Sequence, residues 1–145
     1  MKSMMHIPIA IAIAYFLGFA VLSAQTEPTL TLVTTIDPKA STGILFEPEG
    51  GLEVTYGKGN YVQVTIMVEG NGFNRQQIKA LIPTGIFKIE QFYEANQLRL
   101  TMPGLNKIVT INGKKVIEKV SFVVNLPSNM SLRSKTNATP MSSIR

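Results

Sequence analysis

Tyr61-Val62-Gln63-Val64-Thr65-Ile66-Met67-Val68-Glu69 decides how this chain folds. Val62, Val64, Ile66 and Val68 fall on one side of an extended backbone, and Gln63, Thr65, Met67 and Glu69 fall on the other. β-Branched side chains at alternate positions suit a pleated surface and lose rotamer freedom in a helix. The stretch predicts a central strand with one buried face, and its neighbours should be strands as well.

Working toward the N-terminus, Gly57-Lys58-Gly59-Asn60 is a turn, and Leu52-Glu53-Val54-Thr55-Tyr56 before it alternates in the same way. The pair predicts a β-hairpin closed by a four-residue loop. Glu47-Pro48-Glu49-Gly50-Gly51 breaks the short apolar run Ile44-Leu45-Phe46. Asp37 to Gly43 is a loop rich in turn residues, and Leu30-Thr31-Leu32-Val33-Thr34-Thr35-Ile36 predicts a first strand. Residues 1–24 have the form of a secretory signal peptide. Lys2 supplies the positive start, residues 7–22 are uncharged and apolar, and Leu22-Ser23-Ala24 ends in small residues. The apolar run is shorter than the roughly 20 residues of a membrane span. The chain therefore meets a membrane only if this segment stays uncleaved. Gln25 stands where a lipoprotein would need Cys.

Toward the C-terminus the texture changes. Asn74 with Gln77 forms a capping box and Phe73 with Ile78 a hydrophobic staple, which predicts one short helix over 75–81, ended by Pro83 and Gly85. A helix this short must lie on a sheet. Residues 85–91 predict a strand with Phe87 and Ile89 inward, and Glu94-Ala95-Asn96 turns into Leu98-Arg99-Leu100-Thr101-Met102. Asn112-Gly113, between 107–111 and 114–117, is the strongest hairpin signal in the chain. Val120, Phe122, Val124 and Leu126 alternate in a last long strand closed by Pro127, and Met130 with Leu132 begins an edge segment. Residues 133–145 form a polar tail expected to be disordered in isolation. Its Asn137-Ala138-Thr139 and the nearby Asn129-Met130-Ser131 match glycosylation sequons that carry no meaning in most bacteria. The fold class expected is mainly β, an antiparallel sheet or sandwich of about eight strands with one short helix. The domain should occupy 25–132.

With those strands placed, the order from Gly51 to Leu132 resembles a known family. It runs Gly51-Leu52-Glu53-Val54, a turn, Val62-Gln63-Val64-Thr65-Ile66-Met67-Val68, a polar helix with Ile78 and Leu81, Phe87-Lys88-Ile89 and Asn96-Gln97-Leu98-Arg99-Leu100. It then closes with Val120-Ser121-Phe122-Val123-Val124-Asn125-Leu126-Pro127-Ser128-Asn129-Met130-Ser131-Leu132. The sequence is similar to the opening segment of the head-GIN, autotransporter-adhesin-like family of exported bacterial β-ladder proteins. Tyr56-Gly57-Lys58 stands where that family usually has a Trp-Asp turn, and the family continues into many short rungs, of which this sequence shows at most one. The resemblance implies the capping part of a β-ladder with an adhesin-like role. The family has no established catalytic residues, so none carries over.

The chemistry follows from what is present. The one His is His6, inside the leader, and there is no Cys. The exported domain would thus lack nucleophile systems built on His or Cys, and the usual zinc and copper ligands. It would hold together without disulfides, as suits a bacterial envelope protein. Glu47, Glu49 and Glu53 are the only acidic cluster, and they read as a solvated loop. Asp37, Glu90, Glu94 and Glu118 are scattered, without the convergence a glycosidase needs. The net charge of +5 is spread along the chain except at its end, where Arg133, Lys135 and Arg145 meet no acidic residue after Glu118, and it is not gathered with aromatics on one face, so no nucleic acid partner is expected. No cofactor or metal is expected either. Tyr56, Tyr61, Phe92 and Tyr93 are the candidate contact residues. They would form an exposed aromatic strip for a sugar or peptide, or else be partly buried at sheet edges.

These readings predict an exported, non-enzymatic binding or scaffolding module with a protein or glycan partner, in the periplasm, on the outer membrane surface or outside the cell. The competing expectation is a structural subunit of a larger envelope assembly, joined through edge strands and the C-terminal tail.

Overall fold

A computed structural model describes residues 28–135 of the chain. The expected leader 1–24 and the tail beyond Lys135 lie outside the described residues.

The strand read first is β4 below, and its inward row is the centre of the core. Val62 and Val64 are fully buried, as are Ile66 and Val68, while Gln63, Thr65, Met67 and Glu69 face outward. In chain order the strands are β1 (Leu30–Ile36), β2 (Gly43–Phe46), β3 (Gly51–Gly57), β4 (Val62–Gly70), β5 (Glu90–Glu94) and β6 (Gln97–Thr101). They continue with β7 (Thr110–Ile111), β8 (Lys114–Lys115), β9 (Ile117–Pro127) and β10 (Ser131–Ser134). Two four-stranded sheets result, ordered β1-β4-β9-β3 and β10-β2-β6-β5, with β7-β8 as a small separate ribbon.

The inward rows of the two sheets make one core. Ile44 and Phe46 of β2 and Leu98 and Leu100 of β6 meet the β4 row and the Phe122, Val124 and Leu126 row of β9. The rings of Phe46 and Phe122 touch edge to face at 5.1 Å. The chain is therefore mainly β with two stacked sheets.

The sheets are mixed, not antiparallel as the sequence had suggested. β1/β4, β4/β9 and β5/β6 run antiparallel, whereas β3/β9, β10/β2 and β2/β6 run parallel. The expected β3–β4 hairpin is absent because β9 lies between them. Asn112 (φ 52°) and Gly113 (φ 76°) take the positive φ that a two-residue hairpin turn needs and close the β7–β8 hairpin, whereas Gly57, Gly59 and Asn60 stay outside that region. The 57–61 link instead steps over β9, about 10 Å at ordinary strand spacing.

Other boundaries moved for similar reasons. Residues 85–89 are not a strand. Ile86 and Phe87 are adjacent and both buried, which a strand with alternating faces cannot achieve. They belong to a turn, held by Lys88 N–H to the Gly85 carbonyl at 3.1 Å, that plugs the end of the core. The strands read over 107–111 and 114–117 shrink to two residues each, with Ile108 left 75% exposed. The edge segment expected from Met130 and Leu132 is β10, which extends through Arg133 and Ser134.

Helix α1 (Arg75–Lys79) has the capping box read from the sequence. Asn74 Oδ1 accepts from Gln77 N–H and Gln77 Oε1 accepts from Asn74 N–H, each at 2.9 Å. Ile78 is its buried residue, and the helix packs against β1. A 3-10 turn (Ile82–Thr84) follows and stops at Gly85 in the left-handed region.

Candidate functional site

The feature of this surface that could hold a partner grows out of the β5–β6 hairpin. Ala95 and Asn96 form its loop, and the register Glu94↔Gln97, Tyr93↔Leu98, Phe92↔Arg99 counts back from it. Leu98 faces the core, so its partner Tyr93 lies on the inner side. Phe92 and Arg99 therefore share the outer side, with Glu90 and Thr101.

These outer residues form the floor of an open cleft of about 830 Å³. One wall is the link between β2 and β3, from Glu47 to Gly51. Another is the 3-10 turn Pro103–Asn106 and the chain after it to Val109, and the third is Lys115 with the start of β9. The second wall is seated on the core by Gly104. A Cβ there would lie 2.5 Å from the Ile86 Cα and carbonyl oxygen, so only glycine allows the two backbones to touch.

Arg99 is the most constrained group in the cleft. Its Nη2 lies 3.3 Å from Glu94 Oε1 and its guanidinium carbon 4.7 Å from the Phe92 ring centroid. Its Nε is shut away from solvent without a hydrogen-bond partner. The guanidinium thus stacks on Phe92 and holds that half-exposed ring in place. Across the cleft, Ile108 offers an exposed apolar side chain. Glu47 reaches Lys135 at 3.4 Å, and the other charges that line the cleft are mixed in sign, with Lys107, Lys115 and Lys119 beside Glu49, Glu90 and Glu118. Such a rim neither repels nor gathers a polyanion. It suits a neutral or mixed-charge polar chain laid over an aromatic and an aliphatic contact.

Of the aromatic candidates, Phe92 lines this cleft and the other three do not. Tyr93 donates to the Asp37 carbonyl at 2.6 Å and carries Lys39 Nζ 4.3 Å from its ring centroid, so it fastens the 37–42 loop to β5. Tyr56 ends the inward row of β3 at the open side of its sheet, opposite Leu126 of β9, and Tyr61 stands just before β4. Both tyrosines are about half exposed. The acidic cluster is divided, since Glu47 and Glu49 are in the cleft wall whereas Glu53 faces outward on β3 beside Val123.

Sequence reasoning missed Arg99, Lys107 and Ile108. For Arg99 the register follows from the two-residue loop Ala95-Asn96, whereas the 94–96 turn read from the sequence would have paired Phe92 with Leu98. The 102–109 wall had no signal, since its apolar residues imitate a strand.

No family model matches this chain, and no curated protein matches it. Among solved structures it is similar to a "putative cell adhesion protein" from Clostridium sporogenes, with 14% identity over 74% of this chain and a TM-score of 0.42. The match spans 46% of that protein, less than half of its length.

Proposed function

We propose that this chain is an exported, non-enzymatic protein of the bacterial envelope, an adhesin-like module that binds a glycan or peptide in the cleft over Phe92 and Arg99. The observation that supports this is the stacked Phe92–Arg99 pair at the floor of the cleft, fixed by Glu94 and faced by the exposed Ile108. Aromatic and arginine side chains held rigid in a concavity lose little entropy on binding, and such groups dominate recognition energetics. Residues 1–24 support export, with the free protein in the periplasm, at the outer membrane surface or outside the cell.

The test is a binding screen of the exported protein against glycan and peptide arrays, repeated with Phe92→Ala and Arg99→Ala. Each substitution should weaken the interaction at least tenfold, about 1.4 kcal/mol, whereas Tyr61→Ala should leave it unchanged. Equal binding by Phe92→Ala and the parent would remove the cleft from consideration.

A second reading is that the chain is a structural subunit of a larger envelope assembly. The open edge of β3 favours it, because that strand is hydrogen-bonded on the β9 side and ends its sheet.

A further inference from the structure

β3 differs from the other edge of its own sheet. β1 has α1 packed against it, and its inward end residues Leu30 and Ile36 are only 3% and 1% exposed. The inward row of β3 is covered at its centre, where Val54 is buried, and open at its ends, with Leu52 half-buried and Tyr56 47% exposed. Edge strands are usually blunted by proline, lysine or a bulge. β3 reads Gly-Leu-Glu-Val-Thr-Tyr-Gly, and its register with β9 is unbroken from Gly51↔Ser121 to Gly57↔Pro127. Among the described residues it is thus an unbulged edge with no strand partner on its outer side and with apolar side chains on its inner side.

We propose that β3 pairs with β3 of a second copy of this chain, antiparallel about a two-fold axis at Val54, joining the two β1-β4-β9-β3 sheets into one. This rests on the assembly reading and gives it a partner and a register.

Antiparallel self-pairing offers few registers, and their side chains select among them. With Val54 opposite Val54 of the other copy, Leu52 meets Tyr56 and Glu53 meets Thr55, on both sides of the axis. The inner row then runs unbroken between the two cores, and the half-exposed tyrosine gains an aliphatic cover. Moving the axis to Glu53 sets two carboxylates face to face. Moving it to Thr55 leaves Leu52 without a partner. A two-fold interface must complement itself, and the Val54 register does so without opposing like charges.

The competing occupant is the chain beyond Lys135. β10 lies in register on β2, and Lys135 follows it, with its N–H on the Phe46 carbonyl. Pro140 in that segment would bring no backbone donor to a strand laid on β3. β3 itself supplies the better complement.

The experiment is sedimentation equilibrium on the full chain as the cell processes it, with thermal unfolding as the check on folding. The parent should show a concentration-dependent dimer. Thr55→Glu places a carboxylate opposite Glu53 twice per dimer and should weaken association roughly five- to tenfold. Adding Glu53→Lys to that variant should restore it, because each introduced carboxylate then faces an introduced ammonium of the other copy. Should Thr55→Glu fail to fold, Thr55→Lys serves in its place and should tighten the dimer. A parent that stays monomeric overturns the proposal. A dimer indifferent to all of these substitutions overturns the β3 pairing and leaves an assembly of another kind. A monomeric parent that dimerises once residues 136–145 are removed assigns the edge to the chain's own tail, which also overturns it.

Discussion

Ala95 and Gly104 show at the residue scale how backbone conformation and space, rather than hydrophobicity, hold the cleft in shape. Ala95 sits in the β5–β6 loop with φ 51°, a left-handed conformation that costs a residue with a Cβ about 1–2 kcal/mol. Glycine relieves that strain while losing up to about 1 kcal/mol through its freer unfolded chain. Ala95→Gly should therefore stabilise the protein by about 0.5 kcal/mol in urea unfolding. Gly104→Ala should act in the opposite sense. Its Cβ would lie 2.5 Å from the Ile86 backbone, and overpacking of this kind costs about 1–3 kcal/mol. Because the strain falls on the cleft wall, ligand affinity should drop with stability. Neither effect was legible in the sequence, where Ala95 looks like an ordinary turn residue and Pro103-Gly104 like an ordinary break between strands.

Among the elements, legibility followed the strength of the local signal. The alternating rows of β4 and β9 were read correctly because nothing but a half-buried strand accounts for Val62, Val64, Ile66 and Val68 or for Phe122, Val124 and Leu126. Asn74 with Gln77 located α1, and Asn112-Gly113 located the β7–β8 turn, since each residue supplies a hydrogen bond or a positive φ that the backbone requires there. Residues 85–89 and 107–109 misled because apolar residues filling a turn look like apolar residues in a strand. The inward rows carry the stability. Phe122→Ala, which empties the contact with Phe46, should cost about 3–5 kcal/mol. Val33→Ala on the exposed side of β1 should change stability by no more than about 0.5 kcal/mol. Equal losses from the two, measured by chemical denaturation, would mean that the sheets do not pack through the Phe46–Phe122 face.

For the molecule as a whole, most strands could be placed from the sequence, β5 and the β7–β8 ribbon only in part, but not their order. Parallel pairing leaves no local mark, since partners such as Glu53 and Val123 or Gly43 and Ser131 are joined by long stretches of chain and no tight turn announces them. The candidate cleft was hidden for the same reason, because its walls come from three separated segments. The account depends most on β9 lying between β3 and β4. That placement makes the sheets mixed, sets the start of β9 against the cleft, and leaves the outer edge of β3 open for a second copy. The chain has no cysteine of its own, so paired cysteines test it directly. Glu53→Cys with Val123→Cys occupies facing positions on neighbouring strands and should oxidise to an intramolecular disulfide. Tyr56→Cys with Tyr61→Cys, which flank the loop of the hairpin that does not form, should stay reduced, because the breadth of β9 holds them about 10 Å apart, beyond disulfide reach. A disulfide in the tyrosine pair and none between positions 53 and 123 would contradict the fold on which the cleft and the edge both rest.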